Sequence, residues 1–249
     1  MTELARFFLG PGQPRGNDCE IWGDDAHHIT RVLRLRPGDE IECIDTEGLL
    51  HKVEITETGD PVRGLVRETE SAHYEPPLSI TLFQGLAKGD KMDWVVQKAV
   101  ELGAAEVVPF SSRFTVVKLA DKQRETRRQR WERIAVEAAK QCGRTRLPQV
   151  SPVLGWQELV SEVKRRIGEG ELVLLAYEGE EKRTLSRITA EPSAVSIVIG
   201  PEGGFAPDEA ELLAEAGVEP ISLGPRILRT ETAGVVALSL IGYRWGDLG

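Results

Sequence analysis

The sequence predicts an α/β chain in two parts: a small β-rich barrel or sandwich over residues 1–72, and a parallel sheet flanked by helices over 80–249. Three observations carry this. The first part has short alternating stretches broken by turn residues, the pattern of hairpins. From Ile80 onward, apolar strands alternate with helical patterns, the order that builds a parallel sheet. Between them "HYEPPLS" (His73–Ser79) holds Pro76-Pro77, which cannot continue a strand and suits an extended linker.

The elements follow in order. "AHHITRVLRL" predicts a helix capped by Asp24 or Asp25 and ended by the turn "RPGDE". "DEIECIDTEGLLHKVEITETGDPVRGLVRE" predicts hairpins, broken at "TEG" and "TGDP". "SITLFQGL" reads as a strand. "GDKMDWVVQKAVELG" reads as a helix, with Met92, Val95, Val96, Ala99 and Val100 on one face and Gly103 as its stop. "AEVVPFSS" is a strand, and "KQRETRRQRWERIAVEAAKQCG" a long helix, basic at its start and apolar toward its end. "WQELVSEVKRRIG" is a helix, "ELVLLAYE" and "AVSIVIG" are strands, and "PDEAELLAEAG" is a helix. "EPISLG" is a strand, and "TAGVVALSLIGYRW" closes the chain as a helix.

Composition narrows the function. With 41% hydrophobic and 29% charged residues the chain is of ordinary globular type. No apolar run approaches the ~20 residues a membrane helix needs. The N-terminus lacks a basic segment followed by a long apolar core, so a cytoplasmic protein is expected. Cys19, Cys43 and Cys142 are scattered without C-x-x-C, and His27, His28, His51 and His73 have no metal spacing; no metal is expected. Net charge is −9, which alone argues against nucleic acid. Yet Arg113–Arg146 holds eleven Lys/Arg against four Asp/Glu. That asymmetry fits either a solvated helix face or a phosphate-binding surface. Arg31, Arg34 and Arg36 form a second basic spot.

Two loops carry the chemistry. "IVIG" runs into Pro201-Glu202-Gly203-Gly204, and "ISLG" into Pro225-Arg226-Ile227-Leu228-Arg229-Thr230-Glu231-Thr232. Both strands end in Gly-Pro, and right-handed crossovers would bring both loops to one sheet edge. Glycines let the backbone touch a flat ligand, and proline stiffens each loop. The plain alternative is a pair of tight turns. Asp208, Glu209 and Glu211 open the helix after the first loop, where they would repel a phosphate. No G-x-G-x-x-G or GK[ST] occurs, so a neutral or cationic ligand fits better. Thr230 or Thr232 suits an N-cap. Arg229 is unfavourable at a helix start, which points to a substrate contact with phosphate or base.

"IGPEGGF", "LGPRILRTETA", "QKAVELG" and "EAAKQCGR" together resemble the RsmE family of 16S ribosomal RNA uridine N3-methyltransferases, of the SPOUT class. "HHITRVLRLRPGDEI" resembles that family's PUA-like RNA-binding domain, so the resemblance spans almost the whole chain. Cys142 stands where the family usually has Ser, and "LLAYEGE" departs from its usual form at Tyr177. The resemblance implies a trefoil-knotted C-terminal domain and a homodimer, with each methyl-donor site near the partner chain. It implies S-adenosylmethionine held by Leu175, Ala176, Tyr177 and Glu178, by Ile199, Gly200, Pro201, Glu202, Gly203 and Gly204, and by Leu223, Gly224, Ile227, Leu228, Arg229, Thr230 and Thr232. Arg229 would stabilise charge on the uracil. Glu231 would be the base or would orient Arg229, with a plain helix-start carboxylate as the alternative. Arg31, Arg34, Arg36, Lys88, Lys91, Arg113, Lys118 and Arg144 would meet RNA, and Lys98 either borders that path or pairs with Glu101. Rival readings are methylation of another RNA position, and a non-catalytic RNA-binding assembly factor that keeps the fold.

Overall fold

A computed structural model describes residues 4–71 and 74–249; the start of the expected linker, His73, lies outside the described residues. Contacts divide the chain into two compact units: residues 1–75 with 139–146, and residues 76–138 with 147–249.

The first unit is a five-stranded sheet in the order β1-β3-β4-β5-β2. Its strands are β1 (Arg6–Phe8), β2 (Asp18–Ile21), β3 (Glu40–Ile44), β4 (Leu49–Glu57) and β5 (Val62–Ser71). β3, β4 and β5 are the expected hairpins; β1 pairs parallel to β3. Phe7, Cys19, Ile21, Ile41, Cys43, Val53, Ile55 and Val62 share one core, so the inward faces of both edge strands meet. Ala26 and Ile29 close it from helix α1 (Gly23–His27) and the π-helical turn His28–Val32 that follows. The helix thus begins before Asp24 and Asp25. Trp22 takes the N-cap position, and the two carboxylates sit in the first turn, where they favour the helix dipole.

The second unit is a six-stranded, all-parallel sheet in the order β11-β9-β10-β6-β7-β8. Its strands are β6 (Ser79–Gly85), β7 (Glu106–Phe110), β8 (Gln149–Val150), β9 (Leu172–Ala176), β10 (Ala194–Ile199) and β11 (Glu219–Ile221). Its helices are α2 (Lys91–Glu101), α3 (Asp121–Cys142), α4 (Trp156–Gly168), α5 (Pro207–Glu215) and α6 (Thr230–Trp245). β6 and β10 are buried almost throughout, as strands covered on both faces must be. α2 buries Met92, Val95, Val96, Ala99 and Val100, the expected face. Gly103 follows it at φ 84°, a left-handed position that suits glycine.

Register fixes where the site lies. Ile199 pairs with Gln84 on one side and Ala176 on the other, and Ala176 pairs with Ile221. Four strands therefore end level, and the loops after them leave from one sheet edge, where open parallel sheets bind ligands. At the opposite edge Arg166 is buried among Glu106, Glu162, Glu171 and Thr81. No helix among the described residues is long and apolar enough to cross a membrane.

Candidate active site

The loops after β9, β10 and β11 wall a cleft of about 950 Å³. That volume suits a nucleoside-sized ligand. Its lining includes Ala176, Tyr177, Glu178, Ile199, Gly200, Pro201, Glu202, Gly203, Gly204, Leu223, Gly224, Ile227, Leu228, Arg229 and Thr230. The structure thus gathers almost all the residues that the sequence singles out for a cofactor. Two stand apart. Leu175 points into the hydrophobic core beneath the sheet, and Thr232 lies in the first turns of α6, outside the lining. Phe205, Ser222, Glu180, Glu181, Thr184, Pro225, Arg226 and Ala233 also line the cleft without having been singled out. Thr184 forms a parallel bridge with Ser222, a pairing of two loops that no local pattern encodes.

Thr230 clasps the walls together. Its buried hydroxyl donates to the Gly200 carbonyl at 2.5 Å and accepts from Gln84 Nε2 at 2.8 Å. One side chain at the start of α6 therefore joins the ends of β10 and β6. The fit there is close. A Cβ on Gly85 would stand 2.4 Å from the Pro201 nitrogen, so only glycine lets β6 end against the Gly200-Pro201 bond. Gly224 differs, since a Cβ there would meet nothing within 4 Å.

Glu202 has a clear structural role. Its Oε1 accepts from the Lys88 backbone N–H at 2.9 Å and from Lys91 Nζ at 3.3 Å. Lys91 Nζ also lies 3.2 Å from Glu231 Oε2. The ammonium thus ties the Gly-Pro-Glu-Gly-Gly loop to the first turn of α6. Burial works against that charge, but the Glu231 and Glu202 carboxylates outweigh it and hold Lys91 above the ordinary lysine value. Burial likewise opposes the Glu202 charge, and the Lys88 N–H with the Lys91 ammonium keep its carboxyl below the usual range. Glu231 faces Lys91 rather than Arg229. Arg229 occupies the N-cap position of α6, exposed at the cleft, with no ion pair among the described residues.

Electrostatics agree with a ligand lacking phosphate. Glu209 is buried; its Oε2 accepts from the Ala206 N–H at 3.0 Å and its Oε1 from the Arg113 N–H at 2.9 Å. A carboxylate thus already fills the anion-seeking start of α5. Asp208 grips the Arg113 guanidinium through two bonds of 2.8 and 2.5 Å, which lowers its pKa. Glu178, Glu180, Glu181 and Glu202 outnumber Lys91, Arg226 and Arg229 around the cleft.

The expected RNA contacts are placed differently from one another. Arg31, Arg34 and Arg36 are exposed after α1, and Arg34 takes a left-handed backbone at φ 56°. Lys88 and Lys118 are exposed. Lys91 and Arg113 are held by the carboxylates just named. Arg144 is corrected: it is only 5% exposed, and its guanidinium grips Glu75 at 2.6 Å, so it braces the first unit rather than offering a cation to RNA. Lys98 pairs with Glu101 at 2.7 Å, the plainer of its two readings. Among the described residues no cluster of His, Cys, Asp and Glu could hold a metal ion.

The chain is thus of two-part α/β type, one unit a small β-rich sheet and the other a parallel sheet with a cleft at its level strand ends. Residues 74–242 match an RNA methyltransferase domain, and residues 22–61 match an RNA methyltransferase PUA domain. The chain belongs to the ribosomal RNA small subunit methyltransferase E family, as its sequence motifs suggest. It is 40% identical over 232 residues to the Bacillus subtilis member, covering 90% of this chain and 89% of the relative. The crystal structure of a ribosomal RNA small subunit methyltransferase E from Neisseria gonorrhoeae, bound to S-adenosylmethionine, superposes with a TM-score of 0.90 at 30% identity, covering 99% of this chain and 100% of that one. A Legionella pneumophila protein in complex with the same bound cofactor gives the same TM-score, identity and coverage.

Proposed function

We propose that this protein transfers a methyl group from S-adenosylmethionine to N3 of a uridine in 16S ribosomal RNA. The observation that carries the reading is the single cleft made by three strand-end loops and clasped by Thr230. Its chemistry fits that cofactor. Ile199, Leu223, Ile227 and Leu228 give apolar surface for an adenine ring, and the surplus of carboxylates suits a cationic sulfonium. When bound, the cofactor supplies an electrophilic methyl group on that sulfonium.

The remaining work falls to the chain. N3 must give up its proton before or during methyl transfer; until the N–methyl bond forms and the neutral thioether leaves, negative charge spreads over the uracil oxygens. Arg229 lines the cleft with no ion pair among the described residues and would meet that charge. Glu231 would take the proton or, through Lys91, hold the Gly-Pro-Glu-Gly-Gly loop against the start of α6. Holding the reactants in line would supply several kcal/mol. Arg31, Arg34 and Arg36 would serve as phosphate contacts, which set register without reading sequence.

Two finer features belong to the same reading. The second unit is a trefoil-knotted SPOUT domain, supported by the Thr184–Ser222 bridge and by α6 packing back on α2 and β6. The chain acts as a homodimer, a reading supported by the apolar Leu240 and Tyr243 that α6 leaves exposed, and it works in the cytoplasm. The test is transfer of labelled methyl from S-adenosylmethionine to small subunits from cells lacking this protein. Label on 16S RNA is the expected result; cofactor binding without transfer would refute the enzyme reading.

A further inference from the structure

The segment between β7 and α3 lies against the outer side of the Gly-Pro-Glu-Gly-Gly loop. A Cβ on Gly203 would stand 2.7 Å from Phe114 Cβ and 3.2 Å from the Phe114 carbonyl oxygen. Gly203 itself lines the cleft. Phe114 is therefore one loop thickness from the cofactor site.

The segment is firmly held. The Arg113 N–H and guanidinium are taken by Glu209 and Asp208, and Thr115 Oγ1 accepts from the Ser112 N–H at 2.8 Å. A turn fixed on both sides of Phe114 has no evident need of an exposed aromatic ring. Yet Phe114 is 44% exposed, with no aromatic partner among the described residues, and Val116 is 66% exposed. The surface that follows is cationic. Lys118 and Lys122 are exposed, and Arg133 is exposed on α3; with Arg127 they have no ion-pair partner among the described residues. Arg128 and Arg130, by contrast, are neutralised by Glu125 and Glu132 and by Asp93.

A held aromatic ring followed along the chain by Lys118 and Lys122, which have no ion pair among the described residues, matches single-stranded nucleic acid. Bases stack on the ring while Lys and Arg track the backbone. A second copy of this chain would gain from Phe114 and Val116 but would have to bury the neighbouring cations. Resting on the proposed methyl transfer to RNA, we infer that Phe114 is a stacking platform for an unpaired base adjacent to the target nucleotide. It positions substrate and takes no part in the bond changes. Val116 widens the platform, and Lys118 meets the phosphate beside it.

The experiment compares wild type, Phe114→Ala and Phe114→Trp on small subunits from cells lacking the protein. Alanine keeps the Cβ that abuts Gly203, so the cleft stays intact and calorimetry should return the wild-type affinity for S-adenosylmethionine. Phe114→Ala should raise KM for the subunit about tenfold at unchanged kcat, the loss expected for one stacked base. Phe114→Trp should restore KM, and its added indole fluorescence should be quenched when subunits bind. A wild-type KM in Phe114→Ala would overturn the inference. So would a change of oligomeric state in Phe114→Ala, which would assign the ring to a second copy. Failure of the wild type to methylate would instead sink the proposed function, a separate outcome read before any variant.

Discussion

Replacing Thr230 by valine removes one hydroxyl and keeps the shape. That hydroxyl donates to the Gly200 carbonyl and accepts from Gln84 Nε2. Each buried bond contributes about 1 kcal/mol net, and a buried group left without a partner costs about 1–3 kcal/mol. Gln84 Nε2 keeps a bond of 3.1 Å to the Gly85 carbonyl, while the Gly200 oxygen has no other bond among the described residues. The expected loss is therefore about 2 kcal/mol, because the Gly200 carbonyl is orphaned while the Gln84 donor keeps one partner. For a unit of this size that lowers Tm by about 4–8 °C. The clasp also holds two cleft walls in place, so some of the loss should appear in ligand binding. Two kcal/mol bounds that effect at about thirtyfold in Kd. The assay is thermal unfolding with calorimetric titration of S-adenosylmethionine, using Thr232→Val as control. Thr232 stands outside the cleft and should change stability by less than about 0.5 kcal/mol. If Thr230→Val matched Thr232→Val in both Tm and Kd, the clasp would not hold the site.

Four further outcomes follow. Gly85→Ala drives a Cβ to 2.4 Å from the Pro201 nitrogen, so it should weaken cofactor binding more than an alanine at Gly10, where nothing lies within 4 Å. Arg144→Ala leaves Glu75 partly buried without its cation and should destabilise the protein by about 3 kcal/mol or more in urea, whereas Lys118→Ala should not. Glu162 is pulled down to about 2 by the Arg165 guanidinium, against burial and with help from Arg166. Its stabilisation is present above the ordinary value of 4.5 and is lost as pH falls toward 2, so Glu162→Gln should flatten the acid limb of stability across that window. RNA binding should weaken steeply with salt, and neutralising Arg31, Arg34 and Arg36 should make that slope shallower; a flat response would remove them from the interface.

Much of this was legible because it is local. The apolar face of α2, the burial of β6 and β10, and the two Gly-Pro loops follow from periodicity and from residues with special backbone geometry. The shared cleft followed from one topological rule applied to two parallel strands. What stayed hidden depends on distant partners. Glu202 gives no local signal for its Lys88 and Lys91 contacts, more than a hundred positions away. The sequence reads Gly203 as one of the glycines that let the backbone touch a flat ligand. The structure shows its missing Cβ facing Phe114, so Gly203→Val would disturb that neighbouring segment first. Arg144 belongs to a basic run, and only the fold reveals that Glu75 holds it inside. β1 and β2 are too short to show alternation.

The central claim is tested most directly by mass spectrometry of 16S RNA nucleosides from cells with and without this protein. N3-methyluridine should disappear from one site in its absence and return when the wild-type chain is restored, with a lower yield for Thr230→Val at limiting cofactor. Unchanged N3-methyluridine in the deletion strain would contradict the account.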